Sequence, residues 1–201
     1  MYRKFSQFLL LIFLFGCQDD NIKSTEVISI NDAFFFQKDT YLFTLVSCDS
    51  EENILDFRKS DDGKTFLHIG KEDKSRILQQ NCSTTSYSIN QITKNDLLDK
   101  SDIYLDISTC TKNMDADDEE DFKIYLNFID LNNISVFSAI SDLQDDKYIW
   151  VNIWPSKSER LNSLDKLIKS PNARAVSDSL KKYGICNSPD LINFTSETAQ
   201  L

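Results

Sequence analysis

The sequence predicts an α+β domain: an antiparallel β-sheet connected as a meander, with two C-terminal amphipathic helices packed on one face. Three observations predict it. From residue 40 to residue 154 the apolar residues recur with a period near two, the mark of strands with a buried face. From residue 156 to residue 184 the period becomes that of helices. The links between the later strands are short, so neighbours in sequence are most simply neighbours in the sheet. Strands followed by helices, rather than alternating with them, argue for this class.

The elements follow in order. Residues 41–48 are a strongly apolar, aromatic strand, and residues 54–58 a weaker one. Asp61-Asp62-Gly63 reads as a hairpin turn in which Gly63 supplies a positive φ, with residues 64–69 as the returning strand. Residues 71–80 suggest a short helix, 87–93 a strand and 95–100 one helical turn. Ile103, Leu105 and Ile107 then alternate with Tyr104, Asp106 and Ser108. Phe122, Ile124, Leu126 and Phe128 alternate with Lys123, Tyr125 and Asn127, which predicts another strand. Residues 134–140 and 148–154 complete the sheet, with turns at Asn132-Asn133 and at residues 142–146. The strand at 148–154 is apolar on both faces and is therefore placed centrally.

Ser156 and Glu159 fit a capping box, after which Leu161, Leu164, Leu167 and Ile168 form one stripe. Ser170-Pro171 starts a second helix, with Pro171 at the favoured first position and a stripe of Ala173, Val176, Leu180 and Tyr183. Gly184 ends it, with Ile185 closing the apolar contact of a Schellman stop. Residues 189–201 read as a tail whose Leu191-Ile192-Asn193-Phe194 stretch is able to dock or add a short edge strand. No internal repeat is visible.

Ahead of all this stands a different kind of segment. Met1-Tyr2-Arg3-Lys4 carries two cations, residues 8–15 are unbroken apolar, Gly16-Cys17 follows, and Gln18-Asp19-Asp20 turns polar. That order marks an export signal, and the apolar run is too short to span a bilayer, which needs roughly 20 residues. Leu14-Phe15-Gly16-Cys17 resembles the lipobox of bacterial lipoproteins, with Phe15 standing where that family usually has a small or β-branched residue. The resemblance implies cleavage before Cys17, a lipid on Cys17 and, with Gln18 rather than an aspartate next to it, an outer-membrane location facing the periplasm. The organisation expected is a cleaved signal at 1–16, a lipidated N-terminus and tether at 17–31, one globular domain at 32–188 and the tail at 189–201. Phe34-Phe35-Phe36 opens that domain and reads as a segment buried on two sides.

Removal of 16 of the 201 residues leaves 185, which suits a single domain with a true core. The chain is at −10, and loss of Arg3 and Lys4 takes the remainder to −12. Such a body excludes nucleic acid as a partner, and it is compatible with a basic protein partner. Membrane attachment is expected through the lipid on Cys17 rather than through surface charge. Beyond Cys17 the cysteines are Cys48, Cys82, Cys110 and Cys186, an even set in an exported chain, which reads as two disulfides. Three pairings are open. Cys48–Cys82 with Cys110–Cys186 is preferred, because the first is local and the second pins the C-terminal helices to the sheet. With no Cys-x-x-Cys spacing, a metal site on these four is not expected.

Residues able to carry chemistry are few. Tyr148, Trp150, Asn152 and Trp154 point the same way from one strand, as a sugar-stacking platform or an interface hot spot would require, although both faces of that strand also suit a core. The acidic run at 115–121 lacks the central glycine and ligand spacing of a calcium loop and reads as a solvated loop. His68 is the single histidine, and neither a Gly-x-Ser-x-Gly elbow, a phosphate loop nor a dinucleotide fingerprint is present. No cofactor, metal or catalytic residue is assigned. The sequence thus reads as a non-enzymatic, lipid-anchored binding protein, with an inhibitor or immunity lipoprotein against a cationic envelope-attacking enzyme as its specific form. The alternative is a carbohydrate-binding or envelope-assembly accessory on the aromatic face, and then a hydrolase with paired carboxylates.

Overall fold

The computed structural model describes residues 40–50, 54, 56–71, 81–93, 97–116 and 118–195. The signal, Cys17, the tether, Phe34-Phe35-Phe36 and nearly all of the helix expected at 71–80 lie outside the described residues. The strands are β1 (Thr40–Cys48), β2 (Arg58–Ser60), β3 (Thr65–Gly70), β4 (Cys82–Gln91), β5 (Ile103–Lys112), β6 (Phe137–Asp142), β7 (Lys147–Trp154), β8 (Gly184–Cys186) and β9 (Asp190–Thr195). The helices are α1 (Asp118–Leu131), α2 (Lys157–Lys169) and α3 (Ala173–Tyr183).

The sheet is not a meander with helices on one face. Its strands follow the order β7-β6-β4-β1-β3-β2-β9-β5, and a further β5–β7 pairing closes that order into an eight-stranded antiparallel barrel. β8 runs beside the far end of β5, in line with β9. Closure removes every free edge among the eight, which an open sheet would have to protect.

The strand order also reveals two halves of one plan. In β5–β9, ignoring β8, the order is β9-β5-β7-β6. In β1–β4 it is β4-β1-β3-β2. Each half is therefore ordered 4-1-3-2, the arrangement of a split βαβ unit. The second half fills both crossovers with helices: α1 joins β5 to β6, and α2 with α3 joins β7 to β9. The two halves meet at two seams of two register pairs each, Lys59↔Thr195 with Ser60↔Phe194, and Asn90↔Ile140 with Gln91↔Ala139. Within the halves, pairing runs far longer, over nine residues for β1–β4 and eight for β5–β7.

Both disulfides form as the sequence suggested, Cys48–Cys82 and Cys110–Cys186. They are equivalent features of the two halves. Each links the last part of the first strand to a register partner, Cys82 on β4 and Cys186 on β8, just ahead of β9.

The core has two main layers. Phe43, Leu67, Ile89, Leu105, Phe137, Val151, Ile153 and Phe194, drawn from seven of the barrel strands, fill the interior. Phe122, Tyr125, Trp150, Trp154, Val176 and Tyr183 pack between the second half's outer wall and the helices.

Five local expectations change. Residues 118–131 are helix, not strand. Phe122, Tyr125, Leu126, Phe128 and Ile129 are all buried, at the three- and four-residue spacing of a helix stripe. The second half of the acidic run is the start of α1 and not a loop. Residues 190–195, read as a tail able to dock or add a short edge strand, do form a strand, but one paired on both sides within the wall, with Phe194 fully buried. Gly184 is extended at φ −178 and begins β8, and Ile185 is exposed, so no Schellman stop forms. Glycine is needed there for space, because a Cβ would sit 2.6 Å from the Thr111 carbonyl oxygen and 2.8 Å from Tyr148 Oη. Two turn readings match the structure: Gly63 has φ 70, and Ser156 Oγ accepts from the Glu159 N–H at 3.2 Å. The second helix starts later than expected, at Ala173 with Asn172 as its cap.

Candidate functional site

The outer wall of the second half carries a polar line in an aromatic setting. Register brings Ser138 of β6, Asn152 of β7 and Asp106 of β5 side by side across three strands. Trp150 and Trp154 flank Asn152 along β7, and Tyr104 lies opposite Trp154. Helices supply the rest. From α1, Tyr125 Oη lies 3.0 Å from Ser138 Oγ, which donates to Asn152 Oδ1 at 2.7 Å. Trp150 Nε1–H donates to the same Asn152 oxygen at 2.7 Å. From α2, Arg160 Nε–H donates to Asp106 Oδ2 at 2.9 Å, and both side chains are only 11% exposed.

Burial sets the electrostatics. It raises the Asp106 carboxyl above its ordinary range, while the Arg160 hydrogen bond and charge pull the other way. Trp154 also favours the charged carboxylate, yet its indole N–H closes no hydrogen bond of ordinary geometry. Burial likewise pushes the Tyr125 phenol well above its usual range, so it stays protonated and can donate. A charged pair set among rings is costly unless fully compensated, and a shifted carboxyl beside a cleft is the usual physical mark of a working site.

The cleft is present. An open recess of about 1160 Å³ lies against the β2–β9 seam. Leu45, Ile107 and Ile192 give it an apolar floor, and Asp61, Asp62 and Asp190 stand on its lining. Tyr104, Leu191 and Asn193 line it too, and Leu191 is the register partner of Asp106. The pair therefore stands one strand behind the cleft wall, with α2's Lys157 and Leu161 on the same rim.

The other half carries no such pair at the matching place. Taking Cys48 and Cys110 as equivalent, four residues back along each strand stand Thr44 and Asp106. Their cross-strand partners are His68 and Asn152. Thr44 is buried and accepts from Ser86 Oγ at 3.2 Å. His68 stacks near Phe57, with Nδ1 3.3 Å from the Asp56 carbonyl oxygen. Among the described residues, the charged pair belongs to the second half.

Of the two readings of the aromatic row, binding surface and core, the core reading is the one the structure bears out. Tyr148, Trp150 and Trp154 are 1%, 7% and 6% exposed, with Trp150 against Phe122 and Tyr125 at ring separations of 5.2 and 5.6 Å. Asn152, the fourth member, is the acceptor at the centre of the polar line. Cys48, Cys82, Cys110 and Cys186 are disulfides rather than ligands, and among the described residues no group of three or more His, Cys, Asp or Glu is placed to hold a metal ion. Sequence reasoning passed over Asp106 and Arg160. The available signal was a lone carboxylate inside an alternating strand, next to a strand apolar on both faces, which makes that carboxylate buried.

No family model and no curated protein matches the chain. Solved structures resemble it. A proposed monooxygenase from Lactobacillus acidophilus aligns at a TM-score of 0.45 and 10% identity, over 78% of this chain and 94% of its own. An anthrone oxidase-like protein aligns at 0.43 and 11%, over 79% and 91%. An uncharacterised ferredoxin-fold protein related to antibiotic biosynthesis monooxygenases, from Listeria monocytogenes, aligns at 0.41 and 11%, over 82% and 99%. The binding-protein reading, an inhibitor or immunity lipoprotein with an accessory on the aromatic strand as its alternative, is overturned. The aromatic face lies beneath helices, with Trp150 packed against Phe122 and Tyr125. Among the described residues no helix is long and apolar enough to cross a membrane.

Proposed function

We propose that the protein takes a small organic molecule into the cleft at the β2–β9 seam and performs acid–base chemistry on it, with the buried Asp106–Arg160 pair positioning the cleft wall from behind. The buried Asp106–Arg160 pair behind the cleft wall is the observation that carries this reading. Arg160 positions the carboxylate, and Asn152 with its Trp150 and Ser138 donors fixes the neighbouring strand. The apolar floor selects a partly apolar ligand, and the carboxylates on the lining suit one bearing a cationic or donor group.

The test is a thermal-shift screen of small amines, phenols and polycyclic aromatics, followed by turnover assays on the hits. A hit is expected to lose its shift with Ile107→Trp, which fills the floor, and to keep binding but lose conversion with Asp106→Asn. Hits indifferent to Ile107→Trp, or conversion undiminished by Asp106→Asn, would refute the reading.

The domain's address is a separate part of the proposal. The lipobox-like Leu14-Phe15-Gly16-Cys17 supports a lipid on Cys17 and a periplasm-facing, outer-membrane location. Two disulfides agree with an oxidising compartment. Cells fed labelled palmitate should label the wild-type chain and leave Cys17→Ser unlabelled; label retained in Cys17→Ser, or absent from both, sinks the anchor.

A further inference from the structure

Tyr104 brings to the cleft a hydroxyl with no hydrogen-bond partner among the described residues. The residue is only 6% exposed, and its ring belongs to the same outer core layer as Trp150 and Trp154. Buried phenols ordinarily find a partner. Tyr125 and Tyr148, on the same layer, both do: Tyr125 Oη lies 3.0 Å from Ser138 Oγ, and Tyr148 Oη lies 3.6 Å from Cys186 Sγ. A buried tyrosine whose hydroxyl is left over at the edge of a recess points to a partner from outside the chain.

The surroundings of Tyr104 are rich in donors. Its cross-strand neighbours are Trp154 and Asn193. Two residues past Trp154 stands Ser156, the cap of α2, and Ser156, Lys157 and Ser158 line the cleft as well. α2 packs through Arg160, Ser163 and Leu167 rather than through the full Leu161, Leu164, Leu167 and Ile168 stripe that the sequence suggested. Leu161 is instead 52% exposed and lines the cleft. Ser156 Oγ accepts the Glu159 N–H and the Ser156 carbonyl accepts the Arg160 N–H, so the Lys157 and Ser158 N–H groups have no acceptor in the helix. Tyr104 is itself a donor at neutral pH, because burial raises the phenol above its usual range against the pull of the Arg160 charge. Acidic groups stand further off. Asp61 accepts from the Asn193 amide at 2.9 and 3.1 Å, and Asp190 lies three residues along β9 from Asn193, about 10 Å away. With Asp62 they disfavour an anion in the cleft, so the acceptor that suits Tyr104 is a neutral oxygen.

We infer that the Tyr104 hydroxyl donates to a carbonyl oxygen of the ligand, which makes the cleft selective for small, partly apolar ketones and related carbonyl compounds. The inference rests on the cleft being the ligand site. Leu45, Ile107 and Ile192 hold the hydrocarbon body, and Tyr104 fixes the end that carries the oxygen. A site built around a hydrogen bond rejects the analogue that lacks the partner atom, because the donor is then left unpaired. Tyr104 is thus the residue that touches the ligand, and Asp106 with Arg160 stays behind it as the positioning pair.

The test uses acetophenone, ethylbenzene and benzoate, which share one ring and differ in the group they offer to Tyr104. Their affinities for the full chain are measured by ligand-observed NMR. Acetophenone should bind about fivefold tighter than ethylbenzene, and benzoate more weakly than acetophenone. Tyr104→Phe keeps the ring and removes only the hydroxyl, and unchanged melting confirms its fold. It should erase the acetophenone advantage, leave ethylbenzene within about twofold of wild type, and move the carbonyl stretch of bound acetophenone to higher frequency. An acetophenone advantage that survives Tyr104→Phe, or a carbonyl band that does not move, overturns the inference and leaves the cleft reading standing. So does benzoate binding tighter than acetophenone, because that assigns the corner to an anion. Ile107→Trp separates the two readings, since it should weaken all three probes. Probes indifferent to it, or binding by none of the three, overturn the cleft reading and this inference with it.

Discussion

Asp106 and Asp62 show how one residue type takes opposite roles in one chain. Asp106 is desolvated, so its proton binds more tightly in the folded state than in the unfolded state. The stability this contributes is present below the ordinary carboxylate range, near pH ~4, and is lost as pH rises through the raised value. Asp62 sits in the β2–β3 turn. Its carboxylate accepts from Ser60 Oγ at 2.5 Å and the Lys64 N–H at 3.0 Å, which lower its pKa. Its contribution is present above about pH ~4 and is lost as pH falls through the lowered value. Urea melts between acid and neutral pH should show Asp106→Asn removing a component that falls with pH, and Asp62→Asn one that rises. The ion pair itself is open to a double-mutant cycle. Asp106→Asn and Arg160→Met should each cost roughly 3 kcal/mol, because each strands a buried partner, and the double variant should cost clearly less than the sum. Additive losses would mean that the pair is not coupled. Trp150→Ala should cost about 3–5 kcal/mol, since it removes ring contacts with Phe122 and Tyr125 and leaves Asn152 short of a donor. A stable Trp150→Ala variant would be at odds with the buried placement.

At the scale of elements, the disulfides make the clearest prediction. The loops they close differ, with sequence separations of 34 and 76, because only the second half spends residues on α1, α2 and α3 between its cysteines. On loop entropy alone, replacing the first pair by serine should cost about 4 kcal/mol and the second about 4.5 kcal/mol. Guanidinium melts of the two double-serine variants check this, and an unchanged midpoint in either would remove the staple role from that bridge. That two bridges form was legible in the even count of four cysteines beyond Cys17, and the choice among three pairings rested on the first pair being local and the second pinning the C-terminal helices. The strands at 41–48, 103–107 and 148–154 were legible because alternation is local. α1 was not, since Phe122, Leu126 and Phe128 satisfy a period of two as readily as a helical stripe. Only Tyr125 and Ile129, polar-tipped or off that alternation, break the tie. Asp106 looked like the solvent side of a strand until α2 was known to cover it. The twofold plan was hidden because the halves share strand order and cysteine placement while their crossovers differ in length.

Closure of the barrel belongs to the whole molecule and was beyond any local pattern, because it rests on pairings between residues as distant as Lys59 and Thr195. It also predicts where the molecule opens. The β4–β6 seam is reinforced beyond its two register pairs: Ile92 N–H donates to the Ser138 carbonyl at 2.8 Å, and Thr93 Oγ1 both donates to the Val136 carbonyl and accepts from the Ser138 N–H. At the β2–β9 seam the side-chain bonds are exposed where those of the β4–β6 seam are buried. Asp61 N–H reaches the Asn193 carbonyl at 3.2 Å, the Asn193 amide donates to the Asp61 carboxylate, and the cleft lies alongside. A short seam beside a solvent-filled recess is the place for low-energy local opening. Hydrogen exchange should therefore find the amides of β2 and of the C-terminal part of β9 exchanging well before those of β5 and β7, with the β4–β6 seam in between. Phe194, fully buried on β9, is what limits that opening. Phe194→Ala should cost about 3–5 kcal/mol and bring the exchange of β2 and β9 closer to that of an open strand. A ligand held in the cleft should do the reverse, slowing exchange at this seam more than anywhere else in the ring, since it binds both of the seam's banks. Protection of β9 equal to that of β7 in the free protein would show that the ring has no weak seam, and that a ligand must enter by another route.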